Sequence, residues 1–427
     1  MTPTPPRARR LIQVVAAVVA VLLTSAGFGA PNAYAADPAP RDKLSAAAEQ
    51  RLTQNKTADF WVRMTDKADL SKASQVADWN QRGKAVHDAL RSHATASQAK
   101  VVAQLKAANA DYTPYWITNA VLVRGGTLGL ANTLAANTEV KEIVETSVLE
   151  LIKPVDQKPS SSSTGPNAVE WGISAINADD VWGSGVTGEG IVVASIDSGV
   201  DVTHPALRWK YRGLQPDGTL DNNYNFFDSS GDCNAAGDPC DTDGHGTHTM
   251  GTMLGSDGAN QIGVAPGAKW IEANGCSTCA DADLIESGQW MLAPTRLDGT
   301  GADPSKRPNV INNSWGSRNP STAPFMEDIQ NAWAASGIWG QWSNGNSGPA
   351  CTTSGSPGSR LINYSAGAFD VNGNIASFSA RGPGQDGMTK PNISAPGVNV
   401  RSSVPGGVAA RRRRRGARVE RGPLARG

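Results

Sequence analysis

The sequence predicts a three-layer α/β domain on a mostly parallel central sheet, preceded by a small α+β unit of ferredoxin-like type. Three observations carry that expectation. From residue 58 to 145, strand-like and helix-like patterns follow one another as strand, helix, strand, helix, strand. Beyond residue 168, short apolar runs recur, each followed by a Gly-rich turn and a helix-like stretch. Between them lies "PVDQKPSSSSTGPN" (154–167), whose Pro and Ser content is that of an extended linker.

The amino terminus reads differently from both. Arg7, Arg9 and Arg10 precede the run "LIQVVAAVVAVLL" and then "NAYAAD", with small residues at Ala33 and Ala35. That order predicts a secretory signal over 1–35, cleaved after Ala35, and a secreted, extracellular product. Export by Sec is expected, and the Arg9-Arg10 pair also suits a twin-arginine route. Thirteen residues are short for a bilayer span and no later stretch is apolar enough, so no membrane partner is expected after signal removal.

Charge narrows the classes further. The chain holds 39 basic and 39 acidic residues, but residues 408–427 carry eight arginines against one glutamate. Without the two ends, 28 basic residues face 38 acidic ones in 36–407. An acidic body argues against nucleic acid as a partner.

The first unit, 36–153, is read as follows. "ADFWVRM" (58–64) is a strand; 74–109 is one long helix whose apolar face is Val76, Trp79, Val86, Leu90, Val101 and Leu105. "YWITNAVLVRG" is a second strand, "LGLANTLAAN" a helix and "VKEIVE" the last strand. His87 and His93 fall on the long helix and are expected to face solvent. In 168–407, "IVVASIDSG", "KWIEANG", "NVINNSWG" and "GIWGQWSNGNSG" are strands entering Gly-rich turns. Ile191–Ile196 has no polar alternation, as strands buried on both faces require. Chemistry in such sheets collects where strand carboxyl ends meet loops.

Three signals fall at those ends. Asp197 ends a buried strand in "ASIDSGVDVTHP", a place where a lone Asp also serves as a cap or turn former. In "DTDGHGTHTMGTMLG" (241–255), Gly244 and Gly246 flank His245, freeing the backbone to bring the imidazole into a cleft. His245 and His248 lack the i, i+4 spacing of a zinc helix, and Asp241 and Asp243 head a calcium-like loop whose closing glutamate is replaced by Thr252. In "WSNGNSGP", Asn346 can donate its amide to a developing oxyanion, or simply occupy a left-handed turn. Five cysteines suit an oxidising compartment; Cys233/Cys240 and Cys276/Cys279 are candidate local disulfides, leaving Cys351 odd.

Taken together and in order, Asp197 in "DSG", His245 in "GHGTH", "GVAPGA" at 263–268, "NNSWG" at 312–316, Asn346 in "GNSGP" and "KPNISAPG" resemble the subtilisin-like serine proteases. Within them the chain most resembles the bacillopeptidase F group. The resemblance spans roughly 168–407, and 58–145 resembles the family's inhibitory propeptide. It implies a secreted serine endopeptidase precursor whose substrates are proteins or peptides and whose own propeptide is an intramolecular inhibitor. Asp197 would orient His245, His245 would be the general base and Asn346 would serve the oxyanion hole. Ser314, Trp315 and Gly316 would pair with substrate backbone; Ser343, Asn344, Gly345 and Gly348 would shape the specificity pocket. His204 and His248 would be structural. No cofactor is needed for the chemistry; structural calcium is frequent in the family, with no ligands assigned here.

The same resemblance implies a Gly-Thr-Ser-Met-Ala-x-Pro block, carrying the nucleophile, soon after "APGVNV". The chain instead reads "VAARRRRRGARVERGPLARG". Ser394 belongs to the "NISAPG" turn, and Ser402 and Ser403 precede the expected site on a strand. The expectation is therefore a domain cut short before its nucleophile by a frameshift near codon 407, with a disordered Arg-rich tail at 408–427 and no activity. The second reading is a non-catalytic relic whose propeptide inhibits related proteases.

Overall fold

The computed structural model describes residues 40–153, 168–233, 237–258 and 260–409. Residues 1–35, expected to be a secretory signal, the Pro/Ser-rich stretch 154–167 and residues 410–427 of the expected tail lie outside the described residues; Val408 and Ala409, placed in that tail, instead belong to a strand.

The first unit starts with α1 (Ala46–Asn55), whose cap Ser45 accepts a hydrogen bond from the Ala48 amide, and runs into β1 (Thr57–Met64). There follow the short α2 (Ser71–Ser74), then α3 (Trp79–Ser97), capped by Asp78, and α4 (Ala99–Ala107). The unit closes with β2 (Asp111–Tyr115), β3 (Ala120–Thr127), α5 (Leu128–Ala135) and β4 (Val140–Glu145). The strands form an antiparallel sheet in the order β2-β3-β1-β4, the split βαβ arrangement.

Three expectations change here. The long helix over 74–109 is broken at Gln98, whose side chain donates to the Tyr115 carbonyl and to Asn119. The break has a packing cause: Val86 and Leu90 of α3 enter a core shared with the second unit, whereas Val101 and Leu105 of α4 enter the first unit's own core. "YWITNAVLVRG" is not one strand but the end of β2, a turn and β3; Asn119 takes the turn at φ 47°, which Asn tolerates. His87 does not face solvent. It is buried edge-on against Trp116 at 5.0 Å, and His93 is half-buried on the same helix.

After β5 (Glu150–Leu151), the second unit opens with α6 (Trp171–Ala175) and α7 (Ala178–Gly183). Its frame is β6 (Val192–Asp197), β7 (Phe226–Asp228), α8 (His245–Leu254), β8 (Lys269–Asn274), α9 (Asp281–Leu292) and β9 (Val310–Asn313). β10 (Trp315–Gly316), α10 (Glu327–Ser336), β11 (Trp339–Ser343), β12 (Tyr364–Phe369), β13 (Ile393–Pro396) and the hairpin β14 (Ser402–Val404) and β15 (Gly407–Ala409) complete it. Seven strands form one sheet, β13-β12-β11-β9-β6-β8-β7, every pair parallel. Ser394 lies on β13 rather than in a turn.

Alternation along β6 builds the three layers. Val193 joins Met250 and Leu254 of α8 on one face, while Ala194 and Ile196 join Leu284 of α9 and Ile329 of α10 on the other. The second core continues without a gap into the first unit through Trp61, Val86, Leu90, Tyr115 and Leu122. No described helix is long and apolar enough to cross a membrane.

Candidate active site

Asp197 is the last residue of β6 and is fully buried. Its Oδ1 accepts from His245 Nδ1 at 2.7 Å and from the Ser198 amide at 2.8 Å; its Oδ2 accepts from the Thr249 hydroxyl at 3.2 Å. His245 opens α8. Two glycines make that approach possible: Gly244 takes φ 91° at the helix start, and a Cβ on Gly246 would stand 2.0 Å from the Gly199 carbonyl oxygen.

Asp241 ties this corner together. It accepts from the amides of Asp243, Gly244 and Thr247 and from the hydroxyls of Ser198 and Thr247. Its oxygens are thus filled by protein donors, and the calcium-like reading of Asp241 and Asp243 does not fit. Among the described residues no group of three or more His, Cys, Asp or Glu is arranged around a common metal position.

Burial opposes a charge on His245, but the Asp197 carboxylate, the Ile152 carbonyl and Asp243 outweigh it, and its pKa lies above the ordinary value. His248 is the converse: burial, reinforced by His245, pushes it down to about 4, so it is neutral at pH 7. The hydroxyls of Ser402 and Ser403 donate to the carbonyls of His248 and Thr247, each at 2.8 Å. Both hydroxyls are thus committed to main-chain carbonyls of α8.

A peptide strand runs past Nε2 of His245. Ser314 accepts through its carbonyl from the Ile152 amide at 2.9 Å, and Trp315 and Gly316 pair antiparallel with Leu151 and Glu150. On the other side the Leu149 amide donates to the Cys279 carbonyl, Val148 pairs with Ala280 and the Asp281 amide donates to Ser147. The Ile152 carbonyl stands 3.2 Å from His245 Nε2, and Asn346 Nδ2 donates to the Lys153 carbonyl at 3.0 Å. Lys153 Nζ meets Asp243 at 2.7 Å. The cleft thus holds residues 147–153 of its own chain as an extended strand paired on both sides.

The remaining sequence-chosen residues divide. Ser343 accepts from the Gly345 amide, and Gly345 takes φ 100° beside Asn346. Asn344 does not face the groove: it is fully buried and its amide donates to Ser354 and Ala380. Gly348 is likewise a wall residue, since a Cβ there would stand 2.3 Å from the Ser379 carbonyl oxygen. Trp315 turns its indole inward against Trp342 and Phe325. Cystines Cys233–Cys240 and Cys276–Cys279 are formed and Cys351 is an exposed thiol. The second groove edge, Cys279–Asp281, was not found by sequence reasoning; its only sign was a loop at the carboxyl end of a buried strand.

The model of the subtilase family matches residues 188–418. The chain belongs to the subtilase family. It is 34% identical to Bacillopeptidase F of Bacillus subtilis (strain 168) over 411 residues, 86% of this chain and 27% of that protein. It is 34% identical to Subtilisin Savinase of Lederbergia lenta over 57% of this chain and 77% of that one. Fervidolysin of Fervidobacterium pennivorans has the same fold at TM-score 0.53 and 20% identity, over 82% of this chain and 48% of its own. This subtilase thus spans 27% and 48% of the first two curated relatives it matches, the second being Serine protease AprX of Bacillus subtilis (strain 168).

Proposed function

We propose that this subtilase is the precursor of an exported serine endopeptidase, in which Asp197 and His245 are the acid–base pair and Asn346 the oxyanion donor. The 2.7 Å contact between His245 Nδ1 and Asp197, with Nε2 turned to a groove that holds an extended peptide, carries the reading. In the reaction, Nε2 takes the proton of an attacking serine hydroxyl, the buried Asp197 stabilises the imidazolium, and the proton passes to the leaving amine. Asn346 donates to the carbonyl oxygen as charge develops there, worth about 3 kcal/mol in the transition state. Basic and apolar residues at the amino terminus and two cystines support export.

The 427 residues as they stand are proposed not to hydrolyse peptides. His245 Nε2 is paired with a main-chain carbonyl, and the serines at 402 and 403 are committed elsewhere. The test joins residues 1–407 to a continuation bearing a Gly-Thr-Ser block. Hydrolysis and labelling by a serine-directed covalent inhibitor should appear in the fusion, be absent from the 427-residue chain, and fall about 10⁴-fold with Asp197→Asn. Hydrolysis unaffected by that substitution would remove the pair from the mechanism.

The placement of 147–153 in the groove supports a second role, in which the first unit inhibits the domain it precedes. Full-length protein carrying Leu149→Pro, which removes the amide donated to Cys279, should expose the groove to a fluorescent peptide that the parent excludes.

A further inference from the structure

We propose that the Cys276–Cys279 cystine positions the second edge of the peptide groove, so that this edge holds an extended strand tightly only in the oxidised protein. The inference rests on the reading of the cleft as a peptide groove. The two edges differ in what stands behind them. Ser314–Gly316 continues directly from β9, inside the central sheet. Cys279 and Ala280 lie in the turn between β8 and α9, and Asp281 is the first residue of that helix, so this edge does not continue a strand directly.

Two features show what fixes that turn. Cys279 sits at φ 52°, a left-handed conformation that a residue with a Cβ keeps only where its surroundings impose it. This is the residue whose carbonyl accepts from Leu149 at 2.9 Å. Its sulfur is tied to Cys276, and the Cys276 amide donates to the Asp197 carbonyl at 3.0 Å. The cystine therefore connects the groove edge to the strand end that carries the carboxylate. With the bridge opened, nothing covalent holds Cys279 left-handed, and relaxation to negative φ turns its carbonyl away from the strand.

The coupling runs both ways. Both cysteines are buried in the same apolar cluster as Leu149, so an occupied groove covers the cystine. By linkage, if occupation protects the bridge, the bridge strengthens occupation by the same factor. Opening it requires a dithiol: one thiolate attacks a cysteine sulfur, the other cysteine leaves as thiolate, and the reagent closes its own disulfide. Two electrons and two protons pass to Cys276 and Cys279.

Amide hydrogen exchange on the full chain, read by mass spectrometry, tests this. In the oxidised protein the Leu149 and Asp281 amides should be protected. In Cys276→Ala/Cys279→Ala, and after dithiol treatment, both should exchange at least about tenfold faster while β6 and β8 keep their protection. A Cys233→Ala/Cys240→Ala control should leave them unchanged. Unchanged protection at Leu149 in the double variant overturns the proposal, and so does a loss spread evenly over β6 and β8, which marks a general crosslink. Absence of protection at Leu149 and Ile152 in the oxidised parent is a different failure, that of the groove reading itself.

Discussion

His245 answers to two partners at once, a carboxylate at Nδ1 and a main-chain carbonyl at Nε2. Because its folded pKa is raised, its stabilisation is fully present below the unfolded value of about 6.5 and is lost as pH rises through the folded value. Removing the carboxylate leaves burial dominant, so in Asp197→Asn the imidazole should titrate below a free histidine, against above it in the parent, by NMR. Glu272 on β8 is the opposite kind of group: wholly buried, its pKa held well above 4.5 by burial and then by Asp241 and Asp197. A raised folded pKa again means stability present below the unfolded value and lost as pH rises. Glu272→Gln should flatten that decline in thermal melts as pH rises above the unfolded value; parallel curves for parent and variant would show that this carboxylate is not the source. That Asp197, His245 and Asn346 gather at one groove was legible because Gly-rich strand ends announce themselves in sequence. Asn344 was misplaced because a buried amide and a groove-facing amide are spelled alike.

At the scale of elements, close approach explains glycines that helix propensity alone disfavours. Gly251 lies inside α8, and a Cβ there would stand 2.0 Å from the Ser403 hydroxyl. Gly251→Ala should cost about 1–3 kcal/mol in denaturant unfolding, as overpacking does, instead of the gain an exposed helical site would show. Gly83 of α3 leaves room for Arg307, which donates to the carbonyls of Trp79, Ser336 and Pro304 and lies 3.8 Å over the Trp79 ring. Arg307→Lys should not rescue Arg307→Ala, because one ammonium cannot reproduce a planar fork that serves three carbonyls and a ring; faster proteolysis at 78–97 in both variants is the readout. The parallel strands were readable as unbroken apolar runs. The β2–β3 hairpin was not, since Trp116 and Ile117 continue the apolar run through the turn, and the α3–α4 break was hidden because one helical period serves two different cores.

At the scale of the molecule, two sheets of different kinds share a core, and the far side of each unit has a core of its own. Asp281 is a focus of the junction, accepting from Trp61 Nε1 and from the amide and hydroxyl of Ser147. The two-unit reading of the sequence held no sign of this seam, because residues more than 130 positions apart build it. The strand at 147–153 is covalently continuous with the body it fills. Such tethering gives a local concentration on the order of millimolar, which a free competitor must exceed in ratio to its own dissociation constant. A single nick after Lys153 would end that advantage: how many grooves stayed filled would then depend on how much protein was in the tube.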